Sequence, residues 1–349
     1  MDLTEHFRFQ ARACADMGSP MYAELLHRCA DDVSSGGVVG DVLAGFERLS
    51  GTTSALALRL LGSVHRLVLE RRADELAMYY PSVGGAWELD GGWEAFARLL
   101  RGRPEDVREW LDRPPQTNEV GRSAALYGGL LHLPALGAGE LPVRLVEIGA
   151  SAGLNLRADR FGYLDGAGRR FGSDDPGLVL ADAWRGRSLE PWPGLAVAER
   201  LGSDVAPVDA STTEGRLVLT AYVWPDQRVR LERLRAALRV AAGLAVEIRR
   251  QDAVSFLQEL RLREGTTTVL WHSVMWQYLT PEDRIRAATR IEALGAEATP
   301  SHRFVHLRAE PVLDLPDDVR FLVRLRSWPG GAERVIGETV GHGVPTTWL

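Results

Sequence analysis

The sequence predicts an α/β protein. A helical N-terminal region, residues 1–140, precedes a doubly wound sheet domain, residues 141–349. Two observations carry this expectation. Before Arg144 no short apolar run reads as a strand, while apolar residues recur at helical spacing. After Leu141, apolar runs alternate with amphipathic stretches, the pattern of a sheet covered by helices.

The elements follow in order. "MYAELLHRCADDV", residues 21–33, and "SALALRLLGSVHRLVLERRADELAMYY", residues 54–80, carry helical stripes. Pro81–Gly85 is a turn-rich loop, and "DGGWEAFARLLRG" resumes the helical pattern. "RPEDVREWLD" adds a first-turn proline with acids behind it, a helix start. "VRLVEIG", ending at Gly149, is the first buried strand, and "LNLRADRFGY" after it reads as a short helix. "LVLAD" and "AVAERLGSD" are extended candidates. "STTE", residues 211–214, is a capping box that opens a helix through "GRLVLTAYVW". Pro225 interrupts it, and the helix resumes to Gly243. Strand and helix then alternate through "LAVEIRRQD", "AVSFLQELRLR", "TTTVLWHSVMW" and "PEDRIRAATRIEALG". "RFVHLRAEP", "VRFLVRLRSW" and "ERVIGETV" are closing strands with no long helix between them, so the sheet is expected to end antiparallel. An insertion is expected at about residues 163–194.

Composition narrows the function. Of 349 residues, 45% are hydrophobic and 25% charged, which suits one large or two ordinary globular domains. The formal net charge of −6 gives no electrostatic support for general nucleic-acid binding. No stretch approaches the roughly 20 apolar residues of a membrane helix, and the charged N-terminus lacks a signal-peptide core. Cys14 and Cys29 are the only cysteines, which points to a reducing, cytoplasmic setting; no Cys/His cluster has zinc spacing, so no metal is expected. All 41 basic residues are arginine. Schiff-base chemistry on lysine and a Walker A lysine are therefore excluded. The oligomeric state is not legible.

The stretch "RLVEIGASAGLNL" holds the chemistry. As Gly149-Ala-Ser151-Ala-Gly153 it matches the G-x-S-x-G elbow of serine hydrolases. That reading needs a histidine and an acid for Ser151, and Asp226 or Asp314 followed by His342 supply the chain order. As Glu147-x-Gly149-x-x-x-Gly153 it is a glycine turn closing a strand, where free amides and a helix N-terminus favour an anionic or hydroxyl-rich ligand. Strand order favours the second. Hydrolase elbows follow several strands, whereas this turn follows the first. In a doubly wound sheet the ligand lies beyond the strand carboxyl ends at the switch point. An acid ending the second strand would then bind ribose: Asp204 first, Asp182 second. Asp252 and Ala253 end the next strand, where an acid and an amide suit adenine, and His272 and Ser273 end the fourth.

Glu147, the glycine turn, Asp204 and Asp252-Ala253, in that order, resemble class I S-adenosylmethionine-dependent methyltransferases. Ser151 departs from their pattern by replacing the middle glycine. The chain as a whole is similar to an uncharacterised bacterial family of methyltransferase-like proteins. "GSPMYAELL", "PSVGG", "QTNEVGRSAAL", "LVEIGASAGLNLRADRFGY", "VWPDQ", "WHSVMWQYL" and "GHGVPTTW" carry that similarity. The resemblance implies a seven-stranded Rossmann-like sheet with an antiparallel last strand. It also implies S-adenosylmethionine as cofactor and a small-molecule acceptor. Glu147, Gly149, Ala150, Ser151, Gly153, Asn155, Asp204, Asp252, Ala253 and His272 would surround the cofactor. Arg122 would pair with its carboxylate. Asn118, Glu119 and Trp224 would line the acceptor pocket, and Asp226 or His342 would act as base. A non-catalytic protein holding a nucleoside ligand is the alternative from another class.

Overall fold

The computed structural model describes residues 1–49, 55–312 and 319–349. The helices up to the first strand are α1 (Leu3–Asp16), α2 (Pro20–Ser34), α3 (Val38–Leu43), α4 (Leu56–Leu69), α5 (Asp74–Ala77), α6 (Leu89–Gly102), α7 (Pro104–Arg108) and α8 (Ser123–Leu130). The later ones are α9 (Thr213–Ala221), α10 (Arg228–Gly243), α11 (Ala253–Glu259) and α12 (Pro281–Glu297). The strands are β1 (Val143–Ile148), β2 (Gly162–Asp165), β3 (Arg170–Gly172), β4 (Val179–Gly186), β5 (Val197–Asp204), β6 (Glu247–Arg250), β7 (Thr266–Ser273), β8 (His302–Pro311), β9 (Phe321–Trp328), β10 (Glu333–Thr339) and β11 (Thr346–Trp348). No helix among the described residues is long and apolar enough to cross a membrane.

The chain divides into two compact units: residues 1–117 with 212–232, and residues 118–211 with 233–349. The first unit is helical. Phe7, Leu25, Leu60 and Phe96 meet Trp224 in its core, so the later stretch is built into the earlier one. Polar bonds fix that join. Asp226 accepts the Ser19 hydroxyl at 2.6 Å and the Met21 N–H at 3.1 Å, which anchors the start of α2. His65 Nδ1 meets the Ala221 carbonyl at 3.0 Å and its Nε2 meets the Ser82 hydroxyl at 2.8 Å. Two bonded ring nitrogens with those partners make Nδ1 the donor. The cap of α9 is Thr212, whose hydroxyl accepts the Gly215 N–H at 2.9 Å; the expected capping box starts one residue too early.

The second unit holds one sheet, in the order β3-β2-β4-β11-β10-β9-β8-β7-β1-β5-β6. From β8 through β7, β1 and β5 to β6 every pairing is parallel. β8, β9, β10 and β11 then run antiparallel in turn. The sheet therefore has eleven strands among the described residues, where seven were expected. The expected insertion supplies three of the additional ones. Tyr163 of β2 and Trp184 of β4 stack on Tyr127 of α8, with ring centroids 4.7 Å and 6.2 Å from it. Their burial extends the sheet past β11, whose Trp348 meets Trp184 edge-on at 6.5 Å. The same packing corrects the helix expected over "LNLRADRFGY": only a 3-10 segment forms over Asn155–Arg160, and Gly162 onward is strand.

Alternation gives β1 two faces. Val146 and Ile148 join Leu270, Phe304, Leu257 and Leu294 in a core with α11 and α12. Glu147 points the other way, in register with Trp271 of β7. On that face Gly129 lets α8 approach, because a Cβ there would strike the Leu307 side chain.

Candidate functional site

The turn that closes β1 is held by positive-φ backbone at Gly149 (70°), Ser151 (52°) and Gly153 (64°). It is tightly packed. A Cβ on Gly149 would lie 2.9 Å from Met275, and one on Gly153 would lie 2.6 Å from Ile248. Such crowding with positive φ explains the glycines at both ends. Ser151 accepts the conformation that a second glycine would take more easily.

Asp204, at the end of the neighbouring β5, braces the turn. Its Oδ2 accepts the Ser151 N–H at 2.8 Å and its Oδ1 accepts the Ala206 N–H at 2.9 Å. Asp182 lies on β4 instead and pairs with Arg185. Asn118 Oδ1 accepts the Leu154 N–H at 2.8 Å, and Asn155 Nδ2 donates to the Glu119 carbonyl at 3.4 Å. The Glu119 carboxylate meets Arg233 of α10 at 3.2 Å, with both side chains largely buried. Arg122 Nε donates to the Gly341 carbonyl at 3.1 Å. A Cβ on Gly121 would collide with the His342 carbonyl, so the turn carrying His342 sits against the Glu119–Arg122 segment. Asn118, Glu119, Glu147, Gly149, Ala150, Ser151, Gly153, Asn155 and Asp204 thus meet at one turn, while Arg122 and His342 belong to the adjoining Glu119–Arg122 segment and the turn packed on it.

Glu147 is 2% exposed. Burial pushes its carboxyl up to about 8, the Asp204 charge adds to that, and the Asn155 and Trp271 side chains oppose it. Glu147 Oε2 and Asn155 Oδ1 are buried with no hydrogen-bond partner among the described residues, and the Trp271 indole N–H is directed at the Glu147 carboxyl. Such orphaned polar atoms call for a water or ligand group.

The remaining expected residues fall elsewhere. Asp252 is the cap of α11, accepting the Ser255 N–H at 2.9 Å, which lowers its pKa; Ala253 begins that helix and is buried. The Gln251 N–H donates to the Asp204 carbonyl at 3.0 Å and ties this corner to the turn. Asp226 and Trp224 belong to the first unit. Asp226 is engaged at α2, and Trp224 packs 6.2 Å from Tyr22 with the Arg230 guanidinium 5.5 Å from its ring. Asp314 lies outside the described residues.

His272 sits on the opposite face of β7 from Trp271, in a cluster of which sequence reading found only this one member. His272 Nδ1 meets Glu310 Oε1 at 2.7 Å, and its Nε2 meets His306 Nε2 at 2.9 Å. Trp276 stacks on His272 at 5.1 Å. The next loop contains Val274 at φ 51°, a left-handed conformation that a β-branched residue adopts only under constraint. The signal was present: His306 and Glu310 are four apart on one strand and so share a face.

The chain belongs to a family described as uncharacterized proteins conserved in bacteria (DUF2332), whose sequence model matches residues 4–348. No curated protein matches it.

Proposed function

We propose that the second unit binds S-adenosylmethionine at the β1 turn and transfers its methyl group to a small molecule. The strand order carries this reading. From β1 the chain builds β5 and β6 on one side, then crosses to build β7 and β8 on the other. The switch point falls beside β1, and in open α/β sheets ligands occupy that crevice at the strand carboxyl ends. The orphaned Glu147 Oε2 and Asn155 Oδ1 suit the polar groups of such a cofactor. Arg122 would supply positive charge for its carboxylate. The cofactor, when bound, brings an electrophilic methyl on a sulfonium. The chain's own contribution is to hold both partners in line, and orientation of this kind provides most of the rate.

A non-catalytic nucleoside-binding protein is the second reading. It draws on the buried Glu147 Oε2 and Asn155 Oδ1, which suit a nucleoside as well as the whole cofactor, while Asp204, whose two oxygens already serve backbone amides, is less available to ribose in either reading. Calorimetric titration with S-adenosylhomocysteine and with adenosine tests both. Methyl transfer expects saturable binding of S-adenosylhomocysteine that is lost in Glu147→Ala. Equal affinity for adenosine favours the second reading, and no binding at millimolar ligand contradicts both.

A further inference from the structure

The cluster on the other face of β7 has the geometry of an aimed carboxylate. Glu310 Oε1 lies within hydrogen-bond distance of three donors: His272 Nδ1 at 2.7 Å, the Met275 N–H at 3.2 Å and the Trp276 N–H at 3.4 Å. Two of these are backbone amides, so Oε1 is an acceptor and His272 Nδ1 carries a proton. In that tautomer His272 Nε2 is an acceptor, and His306 Nε2–H donates to it at 2.9 Å. His306 is buried, and burial together with His272 and the positive charges of Arg308 and Arg326 holds its pKa well below the usual histidine value. Those arginines are balanced by Glu333 of β10 at 2.7 Å and Glu292 of α12 at 2.5 Å. Glu310 Oε2 is buried with no partner among the described residues. One oxygen is clamped and the other is left for a donor that only a ligand or water can bring. The cluster reaches the β1 turn through Met275, which packs against Gly149.

We infer that Glu310 is the proton acceptor of this rim, with His272 and His306 as positioning residues that aim its second oxygen. The inference rests on the methyl-transfer reading for its reaction and implies an acceptor with a hydroxyl or amine hydrogen. Glu310 Oε2 takes that proton as the acceptor atom forms its bond to the methyl carbon. The electron pair of the broken S–C bond stays on sulfur, which becomes a neutral thioether.

The test uses full-length protein with 15N-labelled histidine, followed by NMR at neutral pH. We expect His272 as the Nδ1–H tautomer and His306 as the Nε2–H tautomer. In His306→Gln the His272 Nε2 signal moves because its donor changes from a ring to an amide N–H, and in Glu310→Gln the Nδ1–H preference of His272 is lost. A His272 Nε2–H tautomer in the wild type, or an Nδ1–H preference unmoved in Glu310→Gln, overturns the inference. Calorimetry with S-adenosylhomocysteine on the same samples separates the two readings. Binding unchanged in His306→Gln with the expected NMR result supports both. Absent binding in the wild type removes the methyl-transfer reaction, and with it the assigned proton, while leaving the aimed carboxylate in place.

Discussion

The Asp204 carboxylate accepts the Ser151 N–H at 2.8 Å across the gap between two neighbouring strands. Because its other oxygen takes the Ala206 N–H, one side chain satisfies two amides at once. Asparagine can accept with only one of its two atoms and would turn an N–H donor toward another. Asp204→Asn should therefore destabilise the second unit by about 1–3 kcal/mol, measured by urea denaturation. An unchanged midpoint would mean that the turn holds itself.

Glu147 gives the second unit a pH dependence of stability. Its folded pKa of about 8 lies above the roughly 4.3 of an unfolded glutamate. The stability it contributes is complete below the unfolded value and is lost as pH rises through 8. Wild type should lose a few kcal/mol more than Glu147→Gln between pH 5 and 9. Parallel stability curves for the two proteins would refute this.

His65 does the opposite in the first unit. Burial lowers its pKa to about 4, against bonds to backbone carbonyls that raise it. A depressed histidine contributes stability that is present above its unfolded pKa near 6.5 and lost as pH falls toward 4. Wild type should lose about 3 kcal/mol more than His65→Gln over that window, followed by circular dichroism in urea. Equal losses would place the proton elsewhere.

Asp226 ties its own segment to the start of α2 through Ser19 and Met21. Asp226→Ala should cost about 2–3 kcal/mol, since it leaves the buried Ser19 hydroxyl and a helix-start amide with poorer partners. A variant as stable as wild type would free Asp226 for another role.

The β1 turn is expected to resist serine-directed chemistry. Ser151 is 6% exposed and its amide is committed to Asp204. A fluorophosphonate probe should leave it unlabelled in the native protein. Stoichiometric labelling of Ser151 would revive the hydrolase reading.

Local signals in the sequence carried the parts that depend on local physics. Apolar runs located β1, β7, β8 and β9, and first-turn prolines located α7 and α12. The Glu147–Gly153 pattern located the turn. What escaped depends on distant packing. β2, β3 and β11 are three or four residues long, too short for periodicity to mark, and the packing of Tyr163, Phe171 and Trp348 around Trp184 holds them in the sheet. Pairing of Glu310 with His272 required knowing that β7 and β8 are neighbours in register. The engagement of Asp226 with Ser19, 207 positions away, was likewise invisible in a linear reading.

Hydrogen–deuterium exchange of the full chain, with and without saturating S-adenosylhomocysteine, tests the central claim most directly. The account predicts slowed exchange in peptides covering 147–156 and 204–208, where the amides of the β1 turn and its Asp204 brace lie. Protection confined to other segments, or none at millimolar ligand, would contradict a cofactor site at the β1 turn.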